Sequence, residues 1–132
     1  MRVRATLTAT ALVLGGTGVA AGLSSAAGGG EGGVANAAVK KPVTRSVKVA
    51  DNFYSPKRLT VPPKSTIKWK WSRLNAETHD VYLDKRPKGV RHFQSAPAAT
   101  FYSYKRKLRK PGVYKLLCTF HENMTMRVTV KR

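Results

Sequence analysis

STIKWKW, residues 65–71, alternates Ile67, Trp69 and Trp71 with Thr66, Lys68 and Lys70. Successive side chains of a strand point to opposite faces, so this stretch sets three bulky apolar groups against three polar ones. It reads as a half-buried strand whose tryptophans belong to a core. The runs around it have the same character. SVKVADNFY (46–54) alternates Val47 and Val49 and then reaches Phe53, and RLTV (58–61) follows the Ser55-Pro56 break. VPPKS turns the chain into 65–71, and HDVYL (79–83) is the next strand, followed by the basic loop DKRPKG with its turn residues Pro87 and Gly89. TFYSYKRKL (100–108) sets Tyr102, Tyr104, Arg106 and Leu108 against Phe101, Ser103, Lys105 and Lys107, and leaves open which set faces inward. KPG at 110–112 gives a tight turn, VYKLLC (113–118) a strand and MRVTVKR (126–132) a closing one. With no helical period and no internal repeat from Arg45 onward, the fold class is all-β: seven or eight strands in a two-sheet sandwich or a barrel.

The start of the chain is different in kind. Arg2 and Arg4 precede ALVLGGTGVAAGL (11–23), an apolar run broken by Gly15, Gly16 and Gly18 and too short for a membrane span. It predicts a general secretory signal, and hence a secreted, extracytoplasmic protein. Cleavage after Ala37 is preferred, since GGGEGGVANA carries no folding signal; cleavage after Ala26 or Ala27 competes with it. No cysteine is present for a lipid anchor, and the two arginines are not adjacent as a twin-arginine signal requires. The expected organisation is a signal and cleavage region over 1–37 (or 1–27), a short lead over 38–44 and one domain over 45–132. Removing residues 1–37 leaves about 95 residues, enough for one modest core.

Of the 132 residues, 25 are Lys or Arg and 6 are Asp or Glu, a formal charge of +19. Losing Arg2, Arg4 and Glu31 with the signal lowers it to +18. Such a field suits acidic protein partners, anionic envelope polymers or membrane surfaces, and by itself nucleic acid as well. The cations are spread over several strands and turns, and only KRKLRK (105–110) is dense, which reads as a solvated strand and turn in preference to a dedicated docking patch.

CTFHENMTM (118–126) holds the chain's only cysteine, one of its three histidines and two of its three methionines. A lone cysteine in an exported chain is a buried apolar residue, a free thiol, an intermolecular link or a metal ligand. Cys118, His121 and Met124 leave one tight loop as a thiolate, an imidazole and a thioether, a soft set that suits copper better than calcium or magnesium. A fourth donor must come from elsewhere. Only His79 and His92 remain as imidazoles; His79 opens a strand after the RLNAET loop, whereas His92 in VRHF has no neighbouring donor and is read as structural or exposed. Two imidazoles and a thiolate with a long axial methionine define the blue-copper arrangement.

At that point residues 44–132 resemble the cupredoxins of the plastocyanin, amicyanin and azurin group. The resemblance rests on DNFYSPKRLTVPPKSTIKWKW, the histidine opening HDVYL, the strand PGVYKLLC and the closing loop CTFHENM. It implies a two-sheet Greek-key sandwich holding one type 1 copper, with His79, Cys118 and His121 as strong ligands and Met124 as the weak axial one. Met126, two residues on, is expected in the core. The resemblance also implies that His121 lies near the surface as the electron's exit, and Phe120 and Pro97 are candidates for an apolar rim. Two positions depart from the family pattern: Glu122 stands where many relatives have proline, and Asp80 where they commonly have asparagine. Both add negative charge. An Asp80 carboxylate would favour Cu(II) and lower the reduction potential, and would tie the two ligand loops together by accepting a hydrogen bond from Thr119 or a backbone amide.

The function this implies is a small secreted blue copper protein that carries single electrons. A copper carrier or buffering protein without a redox partner uses the same ligands, and a cationic envelope-binding module would use the fold as scaffold only. An enzyme is not expected: three histidines are too few for a further oxygen-reducing copper, and a Cys–His nucleophile pair would leave Met124 without a role. The partner is expected to be a redox protein with an acidic docking surface, with anionic envelope association as a further option. The mature chain is expected to be a monomer without nucleic acid or a transmembrane span.

Overall fold

The computed structural model describes residues 38–132; residues 1–37, read above as a signal and cleavage region, lie outside the described residues. Eight strands follow in order: β1 (Thr44–Ala50), β2 (Phe53–Ser55), β3 (Arg58–Val61), β4 (Ser65–Trp71), β5 (Tyr82–Lys85), β6 (Ser103–Leu108), β7 (Gly112–Leu117) and β8 (Thr125–Val130). They form two four-stranded sheets, β2-β1-β4-β6 and β3-β8-β7-β5. Each contains one parallel pair, β1 with β4 and β3 with β8, among antiparallel ones. Among the described residues no helix is long and apolar enough to cross a membrane.

The alternation in β4 is realised as read: Ile67, Trp69 and Trp71 are buried, and Thr66, Lys68 and Lys70 face outward. Val47 and Val49 from β1, Tyr114 and Leu116 from β7, and Val128 and Val130 from β8 complete the core between the sheets. Burying each such aliphatic side chain is worth about 1.5–3 kcal/mol over leaving it exposed. In β6 it is Tyr104 and Leu108 that turn inward, with Tyr104 tilted against Trp69 at 5.8 Å between ring centroids.

Three elements differ from the sequence expectation. SVKVADNFY is not one run: Asn52 takes a left-handed conformation (φ 67°) and folds 53–55 back as an antiparallel hairpin on β1. The reversal exchanges the faces, so Tyr54 is buried and Phe53 is exposed. HDVYL does not form a continuous strand; His79 makes an isolated bridge to Ala98, and β5 begins at Tyr82 and runs into the loop read as DKRPKG. Thr100 to Tyr102 precede β6 rather than belonging to it.

Candidate metal centre

Cys118 follows directly on β7, where the strand's last residues carry it to one end of the sandwich. Its amide donates to the Met124 carbonyl at 2.9 Å, closing the loop between β7 and β8 into a tight turn. Asn123 completes that turn with φ 61°, a left-handed conformation that asparagine tolerates better than most residues. His79 is fixed from a different direction. Its amide and carbonyl are both paired with Ala98, and its carbonyl also accepts the Trp71 indole N–H at 3.2 Å, so its fully buried ring has a clamped backbone.

These two segments bring together the side chains singled out in the sequence. The Cys118 sulfur lies 4.0 Å from His79 Nδ1 and 3.7 Å from His121 Nδ1, and the donor atoms of the three residues all lie within 4.8 Å of one another. Metal–sulfur and metal–nitrogen bonds of about 2.3 and 2.0 Å in a trigonal plane require a sulfur–nitrogen separation of about 3.7 Å. The donors therefore already stand at the spacing of a shared ion. Burial pushes the Cys118 thiol above its ordinary value of 9.0.

The far nitrogens are occupied. His79 Nε2 is 2.9 Å from Asp51 Oδ1, and His121 Nε2 is 2.9 Å from Glu77 Oε2. A carboxylate on Nε2 fixes the ring orientation and the tautomer, leaving Nδ1 free to donate its lone pair to a metal. Asp51 also accepts the amides of Ala76 (2.9 Å) and Glu77 (3.2 Å), so the carboxylate that orients His79 also positions the loop whose Glu77 reaches His121. The Ala76 amide, followed by His79, holds the Asp51 carboxyl below its ordinary value. Neither Asp51 nor Glu77 was singled out in the sequence. The Asp51-Asn52 pair, a turn signal inside a strand-like run, was the only mark on the first, and nothing local marks the second.

Asp80 is almost fully buried and accepts three hydrogen bonds: from the Thr119 amide and hydroxyl, both at 2.7 Å, and from Gln94 at 2.8 Å. It thus links the His79 segment to the residue after Cys118. The two methionines are separated by their partners. Met126 lies in the core with its sulfur accepting the Trp69 indole N–H at 3.2 Å, whereas Met124 is buried in the donor loop with no hydrogen bond to its sulfur among the described residues. His92 is exposed and packs against Tyr82 at 4.6 Å, outside the cluster. Phe120 is 52% exposed beside His121, and Pro97 is exposed as well. The charge at this end is not basic: four of the five acidic residues among those described gather here, Glu77, Asp80 and Glu122 in the segments that bear the donors and Asp51 in the β1–β2 turn, paired with His79.

One buried thiol, two preoriented imidazoles and a nearby thioether fit a type 1 copper better than structural zinc, which takes four strong ligands. The comparisons agree with that chemistry. The sequence model of the copper binding proteins, plastocyanin/azurin family, matches residues 42–131. Among curated proteins none matches the chain. A purple cupredoxin from Nitrosopumilus maritimus is 26% identical, with a TM-score of 0.55 over 65% of this chain and 98% of its own. A pseudoazurin from Sinorhizobium meliltoi is 19% identical, with a TM-score of 0.58 over 68% of this chain and 75% of its own. A copper-containing nitrite reductase from Thermus scotoductus SA-01 is 23% identical, with a TM-score of 0.58 over 70% of this chain, which spans only 23% of the reductase.

Proposed function

Because this chain belongs to the plastocyanin/azurin family of copper-binding proteins, we propose that it is an extracytoplasmic carrier of single electrons. His79, Cys118 and His121 are its strong copper ligands, and Met124 is the weak axial one. The observation that carries this reading is the buried Cys118 sulfur with two imidazole Nδ1 atoms at 3.7 and 4.0 Å, both rings locked through Nε2. Copper, when bound, supplies a one-electron couple that alternates between Cu(II) and Cu(I).

The chain's contribution is to keep its own groups still while that happens. His79 is immobilised by the Ala98 bridge and the Asp51 carboxylate, and Cys118 by the Met124 carbonyl on one side and the Asp80–Thr119 link on the other. A donor set that holds its positions has little to rearrange when the charge changes. The core of both sheets backs the loop, and the burial of Cys118 and Met124 keeps water from the sulfur atoms. His121 is the donor nearest solvent, with its side chain 20% exposed, and is the electron's way out. The acidic loops around it favour a partner whose contact region is neutral or basic. The expected acidic docking surface matches instead the flanks of the molecule, where the cations lie. Export rests on the Arg2/Arg4 start and the apolar run over 11–23.

The experiment is voltammetry of the copper-loaded chain over repeated reduction and oxidation, with copper content measured before and after. A reversible one-electron wave with copper retained supports an electron carrier. Release of copper on reduction contradicts it and favours the copper-carrier reading.

A further inference from the structure

The solvent face of the β2-β1-β4-β6 sheet carries charges in an arrangement that the copper site does not explain. In the strand register Lys48 stands directly opposite Lys70, and Lys68 directly opposite Lys105, with Lys107 next along β6 opposite Thr66. Like charges directly opposite on one face destabilise a sheet. No acid relieves them: none of the four strands contains Asp or Glu, and among the described residues the only carboxylate ion pairs are those of His79 and His121. Lysines on an edge strand guard against edge-to-edge pairing, which would account for Lys105 and Lys107 on β6. It does not account for Lys68 and Lys70, because β4 lies inside the sheet.

Beside this face the structure forms a cleft of ≈ 850 Å³ whose walls include Lys68, Lys105 and Lys107, together with Arg91, Arg109 and Lys110. Lys110 is drawn over Gly89, where a Cβ would come within 2.5 Å of its Nζ, and it donates to the Lys88 carbonyl. That contact joins the 88–91 loop to the end of β6 and shapes the cleft. Along the strands the ammonium groups repeat every second residue, about 6.7 Å, and across them every 4.8 Å or so.

From this comb of cations we infer a binding site for a linear polyol-phosphate polymer, laid along the outer face of β4 and β6 and into the cleft. The composition of the face selects this occupant. Protein interfaces are built on aromatic and arginine anchors and are depleted of lysine, and here the outward residues of β4 and β6 are Lys, Ser and Thr. Single-stranded nucleic acid is held by base stacking on exposed aromatics, but Phe93 and Tyr114 in the cleft are buried, Phe53 is on the opposite edge strand, and exposed Phe101 lies outside the cleft with the Arg73 guanidinium over its ring. An anionic membrane attracts such a row by charge, but stable anchoring needs a second, apolar signal, and the outward residues of β4 and β6 supply none. A flexible chain of backbone phosphates without bases can follow both the opposed lysines and the bend into the cleft. The site is independent of copper and would hold the protein in a phosphate-rich envelope with its donor loops free.

The test is equilibrium binding of the full chain to fluorescently labelled poly(glycerol phosphate), followed by anisotropy between about 50 and 200 mM salt. Each lost phosphate contact removes about 0.7 from the slope of log affinity against log salt for a flexible strand. The variant Lys68→Gln/Lys105→Gln/Lys107→Gln is expected to lose about two units of slope and at least about tenfold in affinity at the lower salt. Arg58→Gln/Lys115→Gln/Arg127→Gln removes the same charge from a row on the other sheet and is expected to lose less than about threefold. Circular dichroism verifies the fold of both, and Lys105→Gln alone, with a slope loss of about 0.7, serves if the triple variant is unstable. Equal losses in the two triple variants would reduce the effect to net charge and overturn the site. Tighter binding of oligo(dT) or polyglutamate of matched charge would overturn the choice of occupant.

Discussion

Replacing either methionine of the closing loop by leucine separates the two roles that the structure gives them. Met126 lies in the core, and its sulfur accepts the Trp69 indole N–H at 3.2 Å. Met126→Leu conserves volume, which alone costs less than about 1.5 kcal/mol. It also leaves a fully buried indole N–H without a partner, at about 1–3 kcal/mol. The total is about 2 kcal/mol, which lowers the melting temperature of a domain of this size by about 10 °C. The copper spectrum should not change. Met124→Leu has no such bond to break, so the copper-free protein should lose less than about 1.5 kcal/mol. The loss of the axial donor costs electron-poor Cu(II) more than Cu(I), so the reduction potential should rise and the visible band should shift. Thermal unfolding of the copper-free variants by circular dichroism, with Cu(II) titration and voltammetry of each, measures both halves. The assignment is refuted if Met126→Leu alters the band and potential while Met124→Leu leaves them as they are.

Asp80→Asn keeps the shape of the side chain and removes a negative charge that accepts three hydrogen bonds beside the donors, so the reduction potential should rise; an unchanged or lower value in voltammetry would contradict the electrostatic role given to Asp80. Because burial raises the Cys118 thiol above 9.0, copper must displace its proton, and apparent Cu(II) affinity should increase about tenfold per pH unit from neutrality up to the raised value. A flat profile in competition titrations would mean that the thiol is not the ligand. The same shift has a defined sign for folding: its contribution is fully present below pH 9.0 and is lost as the pH rises through the raised value, so the copper-free protein should unfold more readily in urea under alkaline conditions. Gly112 has φ +135°, and a Cβ there would meet the Pro87 ring at 2.6 Å, so Gly112→Ala should cost about 1–3 kcal/mol in urea denaturation. A variant as stable as the parent would show that the 86–90 loop does not depend on this close approach.

The sequence carried the parts of this structure that depend on local pattern. The alternation at 65–71 is legible because every second side chain of β4 enters the core, and the donor loop is legible because three of its donors are six residues apart at most. Asp80 and Thr119 stood out because each adjoins a donor. What could not be read depends on contacts made after folding. The Asp51-Asn52 turn cuts an apparently continuous run because Asn52 adopts a left-handed conformation, which reverses the chain and exchanges Phe53 for Tyr54 in the core. Asp51 and Glu77 reach their histidines from loops 28 and 44 residues away in the chain, and no spacing rule reaches that far. The opposition of Lys48 to Lys70 and of Lys68 to Lys105 requires the register, since in the sequence these are simply polar positions of separate strands.

The visible absorption spectrum of the purified chain during titration with Cu(II), alongside Cys118→Ala, tests the ligand set most directly. The account predicts an intense blue band that saturates at one copper per chain and is absent from the variant. With the thiol verified as reduced, absence of the band from the parent chain, or its persistence in Cys118→Ala, would contradict a thiolate-bound type 1 centre.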